Sequence, residues 1–386
     1  MAAQPSRPPQ RRTGNNDNGV IIVTDAALPL GERLRRRGVS RRSFLQYCAA
    51  TLALLRLPGV SPAAFAAGLA QASRPAAIWL SFQECTGCTE SLTRSAAPSL
   101  ERLILEMLSL DYHHTLQAAA GVAAEQARLQ SMRANRGKYL LLVDGSVPLK
   151  DGGVYSTIAG RSNADLLAEC AEGAAAVIAV GSCAAYGGLP AAEPNPTGAV
   201  AAATLLPGKA LLNLPGCPPI ASVISAVLAH FVAFGTLPEA DDLGRPRAFY
   251  GESIHDRCYR RPFYDQGKFA ETFDDVGARA GWCLFKLGCR GPVTFNACAT
   301  TKWNGGTSFP IESGHGCLGC SEPGFWDSGG FYRALSAPAL DNARTIALAT
   351  AAGLAAGIAT ARANRAKKAA AAKAANPLTP ADLEKP

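Results

Sequence analysis

Twelve cysteines in 386 residues are the side chains with the greatest capacity for chemistry, and their spacing narrows what that chemistry is. Two C-x-x-C pairs, Cys85/Cys88 and Cys317/Cys320, are too closely spaced to staple distant segments as disulfides and suit shared metal centres better. Cys183 stands in Gly181-Ser182-Cys183, and Cys217 in Pro215-Gly216-Cys217-Pro218-Pro219. Farther along, His255-x-x-Cys258, Cys283-x5-Cys289, Cys298 and the second C-x-x-C pair crowd into 66 residues rich in Gly, Pro and aromatics. A lone histidine is usually a satisfied surface or core residue, but one this near a cysteine amid such density reads as a ligand. A segment so poor in regular apolar patterning is expected to need its metal centres to fold. Four thiolates at one place suit a [4Fe–4S] cluster or a tetrahedral zinc. Structural zinc more usually sits on compact knuckles in a small domain, so iron–sulfur is the expectation and zinc the standing alternative.

The elements that must position these groups are legible as buried strands. Apolar runs recur at 76–82, 139–144, 175–181 and 210–214, with helix-like stretches between them, which predicts a doubly wound parallel α/β sheet. The first run leads into Cys85 and Cys88, the third into Cys183 and the fourth into Cys217. Ligands in open α/β sheets gather outside the carboxyl ends of the strands, so cysteines far apart in the chain can converge there. Glycines and prolines beside them let the backbone turn sharply and offer N–H groups to sulfur.

A formal charge of +8 invites a nucleic-acid reading, but its distribution argues against one. Residues 1–66 carry +7 and residues 337–386 carry +4, which leaves −3 for the stretch between. The basic charge therefore belongs to the ends. Ser40-Arg41-Arg42-Ser43-Phe44-Leu45, followed by a moderately apolar run and the A-x-A string Ala64-Phe65-Ala66, resembles a twin-arginine export signal, a route for proteins already folded around their cofactors. Thr345–Ala361 is a 17-residue uncharged run at the short limit for spanning a bilayer, and five Lys/Arg follow it closely, as for a helix whose C-terminal side faces the cytoplasm.

The strings Glu84–Ser91, Gly181–Gly188, Leu214–Pro219, Ile254–Arg261 and Gly314–Asp327 together resemble the small, iron–sulfur subunits of membrane-bound nickel–iron uptake hydrogenases. The resemblance implies a flavodoxin-like doubly wound parallel sheet, then an irregular iron–sulfur domain and a C-terminal helix. Its boundaries would be an export signal at 1–66, the sheet domain at 67–240, the iron–sulfur domain at 241–336, and a transmembrane anchor with basic tail at 337–386. It implies that Cys85, Cys88, Cys183 and Cys217 hold a proximal [4Fe–4S] cluster, and that His255, Cys258, Cys283 and Cys289 hold a distal [4Fe–4S] cluster. Cys298, Cys317 and Cys320 would hold a medial [3Fe–4S] cluster, with Pro310 where a fourth thiolate would otherwise be offered. Cys48 and Cys170 are left over, and no nickel ligands fall in this chain. The implied partners are a hydrogenase large subunit with the nickel–iron site, a membrane cytochrome b and quinone. The implied place is the periplasmic face of the bacterial inner membrane.

Two departures carry expectations. Asp144 stands where many relatives carry Glu, a carboxylate of shorter reach. Oxygen-tolerant relatives add two cysteines around the proximal cluster, and the corresponding positions here are Gly87 and Gly188, so an ordinary four-sulfide cubane with one redox step is expected. The rival readings are a cluster-bearing component of respiratory complex I, a zinc-stapled exported binding protein, and a flavodoxin-like flavin carrier. Against the first, Thr86-Gly87 separates cysteines that are adjacent in that family; against the last, cysteines occupy the strand ends where a phosphate loop belongs.

Overall fold

The computed structural model describes residues 28–55, 60–96, 98–329 and 331–333. Five strands make one parallel sheet: β1 (Ala76–Ser81), β2 (Ser109–His113), β3 (Leu140–Asp144), β4 (Ala176–Val180) and β5 (Leu211–Leu214). The order is β2-β1-β3-β4-β5, the flavodoxin-type order, in which the direction of winding reverses between β1 and β3. The register runs Trp79↔Leu142, Leu142↔Ile178 and Ile178↔Leu212 across the four strands β1, β3, β4 and β5. Every residue of β3 and β4 is buried, as a parallel sheet covered on both faces requires.

The strands at 76–82, 139–144, 175–181 and 210–214 form as expected, to within a residue at each end. β2 has no such apolar run. Its sequence, Ser-Leu-Asp-Tyr-His, buries only Tyr112 and His113, and it pairs with β1 alone through a register irregularity at Ala77/Ile78. An edge strand with one covered face carries too weak a pattern to be read from sequence.

Successive residues point to opposite faces. Ala77, Trp79, Leu140, Leu142, Leu212 and Leu214 belong to one core cluster, and Leu80, Leu141, Val143, Val177 and Ala179 to the other. Helices α1 (Leu30–Arg36), α2 (Arg41–Leu55) and α3 (Pro62–Gln71) lie on the first side. Two short helices start just beyond strands, α4 (Gly87–Thr93) after β1 and α7 (Gly181–Tyr186) after β4. Between them in the chain, α5 (Gly121–Ala134) and α6 (Asn163–Glu172) cover the second side with Ala124, Leu166, Leu167 and Cys170. The long apolar α8 (Ala221–Phe234) completes the first side and stops at Gly235, whose φ of +69° suits a helix C-terminus.

The twin arginines open α2 and are exposed, whereas Ala64-Phe65-Ala66 lies inside α3 with Phe65 fully buried on the side where α3 packs against α8. Gly68 permits that approach: a Cβ there would stand 2.4 Å from the Ala233 carbonyl oxygen. Among the described residues no helix is long and apolar enough to cross a membrane, and the expected span Thr345–Ala361 lies outside them.

Beyond α8 no described helix exceeds five residues. This part is not without apolar packing: Phe249, Tyr250, Ile254, Leu284, Phe309 and Ile311 are buried and continue the first core cluster up to Cys289, Cys298 and Cys317. The residues alternate with turns rather than with a regular period, so the pattern is invisible until the chain is folded. Arg245 ties together remote segments of the part beyond α8. Its guanidinium, 6% exposed, reaches Asp241 at 2.7 Å and Glu322 at 3.0 Å and lies over the Tyr250 and Phe295 rings. Removing it leaves two poorly solvated carboxylates without a counter-charge, so Arg245→Ala is expected to cost about 3–5 kcal/mol. A lowered unfolding midpoint of the assembled protein is the measurement, and Asp241→Asn with Glu322→Gln in the same background should recover part of the loss.

Candidate metal centres

Three groups of thiols are brought together, and each is built from segments distant in sequence. The first lies at the carboxyl ends of β1, β4 and β5. β1 hands the chain through Thr86, held at φ +65°, to α4, so that Cys85 stays exposed while Cys88 turns inward and is buried. β4 runs straight into α7, which carries Cys183, and β5 into the turn that carries Cys217. Burial and then the negative neighbours Asp144, Cys183, Cys217 and Cys85 push the Cys88 thiol well above its ordinary value. Cys183 is pushed up to about 12 by burial, Cys217 and Cys85, against a main-chain N–H of Leu189 that lowers it.

Glycine makes the room. Gly181, at φ +90°, would place a Cβ 2.4 Å from Cys88 Sγ, and Gly188, at φ +55°, one 2.7 Å from Cys183 Sγ. Asp144, the last residue of β3, lies close enough to Cys88 for its charge to be felt there. It is fully buried, and burial raises its pKa to about 7 against the opposing influence of the adjacent Ser81 and Trp79 side chains.

The second group is Cys298, Cys317 and Cys320, which line one cavity together with Pro310, Trp303 and Cys217 of the first group. Burial pushes all three thiols up to about 12, and the neighbouring thiols of the group push in the same direction. In the third group, His255, Cys258, Cys283 and Cys289 line a cavity with Arg260 and Gly291. Burial, followed by the Arg261 charge, lowers the His255 pKa and favours the neutral imidazole that can ligate a metal. The Tyr264 ring packs edge-on against the imidazole, 4.6 Å between centroids. The Cys317 N–H donates to Cys289 Sγ at 3.3 Å, which joins the second group to the third.

These donors fit iron–sulfur clusters. Each group buries thiols that cannot ionise together without a large positive charge among them, and a multi-iron cluster supplies it. Among the described residues no three His, Cys, Asp or Glu side chains are gathered as a single-ion site; the thiols line cavity walls instead. The leftover Cys48 and Cys170 stand apart from all three groups, buried in α2 and α6, the latter 3.2 Å from Arg128 Nη1. Trp303 and Thr294, which line the second cavity, carry no signal in the sequence, because their place depends on contacts with remote segments.

The likeness to known proteins covers both parts of the chain. Residues 250–333 match the family model for the C-terminal part of NiFe/NiFeSe hydrogenase small subunits, and residues 85–231 the one described as NADH ubiquinone oxidoreductase, 20 Kd subunit. The chain is 50% identical over 307 residues to the uptake hydrogenase small subunit of Azotobacter vinelandii, covering 78% of this chain and 85% of that one. It is 47% identical over 301 residues to the hydrogenase-1 small chain of Escherichia coli K12, covering 78% and 81%. Among solved structures, the [NiFeSe] hydrogenase of Desulfovibrio vulgaris Hildenborough aligns with a TM-score of 0.63 at 36% identity, over 68% of this chain and 98% of that one. The match to the 20 Kd family falls within residues 85–231, and the hydrogenase small-subunit model covers residues 250–333.

The tight approach at Gly181 yields a prediction. Gly181→Ala forces Cys88 Sγ away and strains a left-handed backbone position, so the first group should fail to retain metal while the other two keep theirs. Metal analysis with the electron paramagnetic resonance signal of each centre, on protein shown to be folded by circular dichroism, checks this.

Proposed function

The chain belongs to the small-subunit family of nickel–iron hydrogenases, and from that premise we propose how it relays electrons from hydrogen oxidation in a large partner. Cys85, Cys88, Cys183 and Cys217 hold a proximal [4Fe–4S] cluster. Cys298, Cys317 and Cys320 hold a medial [3Fe–4S] cluster, and His255, Cys258, Cys283 and Cys289 a distal [4Fe–4S] cluster. When bound, such clusters supply one-electron redox centres in series. The observation that carries the reading is the gathering of ten thiols and one imidazole, from segments spread over more than two hundred residues, into three adjoining groups.

The residues around each group set its properties. Pro310, which lines the second cavity, offers neither a ligand atom nor an N–H, so that centre keeps three irons. Gly87 and Gly188 supply no thiolate, and a Cβ at Gly188 would crowd Cys183, so the proximal centre is a four-sulfide cubane limited to one redox step. The exposed Cys85 and Cys217 mark the side on which the large subunit, holder of the nickel–iron site, covers the proximal cluster. Neutral His255 in place of a thiolate raises the distal potential and eases electron exit. A membrane cytochrome b and quinone receive the electrons at the periplasmic face of the inner membrane. Residues 1–66 serve twin-arginine export, 67–240 and 241–336 are the sheet and iron–sulfur domains, and 337–386 are the anchor.

The test is His255→Ala in the heterodimer. Electron transfer to external acceptors should fall far more than hydrogen–deuterium exchange, which belongs to the partner; equal loss of both would make His255 merely structural. Analysis for about eleven irons per chain, with no zinc, separates this reading from a zinc-stapled protein.

Asp144 adds a pH dependence. Its carboxyl is neutral below about 7 and charged above. A negative charge beside Cys88 favours the oxidised cluster, so the proximal potential should fall as the pH rises through about 7. Potentiometric titration at several pH values should show this slope in the natural protein and lose it in Asp144→Asn.

A further inference from the structure

The first and second groups of thiols are joined by one buried hydroxyl. Ser182 is 2% exposed and precedes Cys183 in the first turn of α7. Its oxygen accepts the Gly216 N–H at 2.9 Å, one residue before Cys217, and its own O–H donates to the Cys320 carbonyl in the second group. The Ser182 N–H donates in turn to the Gly216 carbonyl at 3.0 Å. Three ligand-bearing segments, those of Cys183, Cys217 and Cys320, thus meet at one side chain.

We propose that Ser182 is the positioning residue that sets the separation of the proximal and medial centres and carries the hydrogen-bonded route between them, an inference that rests on the ligand sets assigned to those two centres. A serine hydroxyl has one hydrogen to donate and lone pairs to accept with, and both capacities are used between the two groups. Other residues brace the same loop without spanning the gap: Tyr250 donates to the Pro215 carbonyl at 2.7 Å and touches no ligand segment of the second group through that bond. The next junction, from second group to third, is made by the Cys317 N–H on Cys289 Sγ and the Arg290 N–H on the Cys317 carbonyl at 2.8 Å. Main chain and ligand atoms secure that junction; the first has a comparable main-chain contact, the Cys217 N–H on the Cys320 thiol, and adds to it the replaceable Ser182 side chain. One electron leaves the centre held by Cys183 and Cys217 and arrives at the centre held by Cys298, Cys317 and Cys320, while Ser182 keeps its proton throughout.

Removing the hydroxyl leaves the Gly216 N–H and the Cys320 carbonyl without their partner in a buried site, so the two segments are free to shift apart. The experiment uses the purified heterodimer with Ser182→Ala and Ser182→Thr. Ser182→Ala should keep hydrogen–deuterium exchange and the iron content of the natural protein. The magnetic interaction between the proximal and medial centres, read as splitting in electron paramagnetic resonance, should weaken, and electron arrival at the medial centre after a light-triggered reduction should slow several-fold. Ser182→Thr, which retains the hydroxyl, should restore both. If Ser182→Ala loses iron, recovery in Ser182→Thr supports the positioning role, and loss in both overturns it in favour of simple packing. Full iron with unchanged splitting and unchanged transfer rate in Ser182→Ala overturns the proposal outright. A natural protein without iron would instead overturn the ligand assignment itself.

Discussion

Thiols brought into an apolar interior create a charge problem that governs much of this structure. A thiolate is a good ligand only when ionised, yet burial disfavours the ion, and every neighbouring thiolate disfavours it further. Cys88 and Cys183 show both effects in the first group, and Cys298, Cys317 and Cys320 show them in the second. The protein answers with few positive side chains: Arg260 and Arg261 lie near the third group, while the first two groups have main-chain N–H groups of Leu189, Gly319 and Cys217. Such donors stabilise a negative sulfur without neutralising it. The balancing charge is one that the iron of an iron–sulfur cluster supplies.

The same constraint explains where glycine and short helices are used. A cluster needs its ligands on a surface that curves around it, and a regular helix or strand presents side chains along a line. At Gly181 and Gly188 the backbone takes left-handed turns that bring it against Cys88 and Cys183 with no side chain intervening. The third group relies instead on 3₁₀ turns at His255–Arg257, Phe285–Leu287 and Gly291–Val293, each ending or beginning close to a ligand. The apolar residues between these turns join the core that backs the sheet, so the irregular part shares its foundation with the regular one.

The N-terminal helices bear on how such a chain is handled before its clusters and partner are in place. Phe65, Leu69, Cys48 and Leu52 are buried on the side of the sheet that α8 covers, and the string Ala64-Phe65-Ala66 is wound into α3. A protease that reads an extended A-x-A segment meets a helix with its middle residue buried. The twin arginines, by contrast, are exposed at the start of α2.

Candidate ligands were legible in the sequence because their signal is local. Spacing within C-x-x-C or His-x-x-Cys is set by a single turn, and the strings around Cys85, Cys183, Cys217, His255 and Cys317 each retain their meaning when read alone. The strands β1, β3, β4 and β5 were legible too, since burial leaves a continuous apolar run. What the tertiary structure alone decided is what depends on two remote segments at once. The polar edge strand β2 exists because β1 offers it hydrogen bonds. Apolar packing beyond α8 follows turns rather than a period. Cys217 borders the cavity of the second group as well as belonging to the first, and the Ser182 hydroxyl reaches Cys320 from 138 positions away. No local pattern encodes such a contact, because its geometry is fixed by the packing of the irregular region against the strand ends.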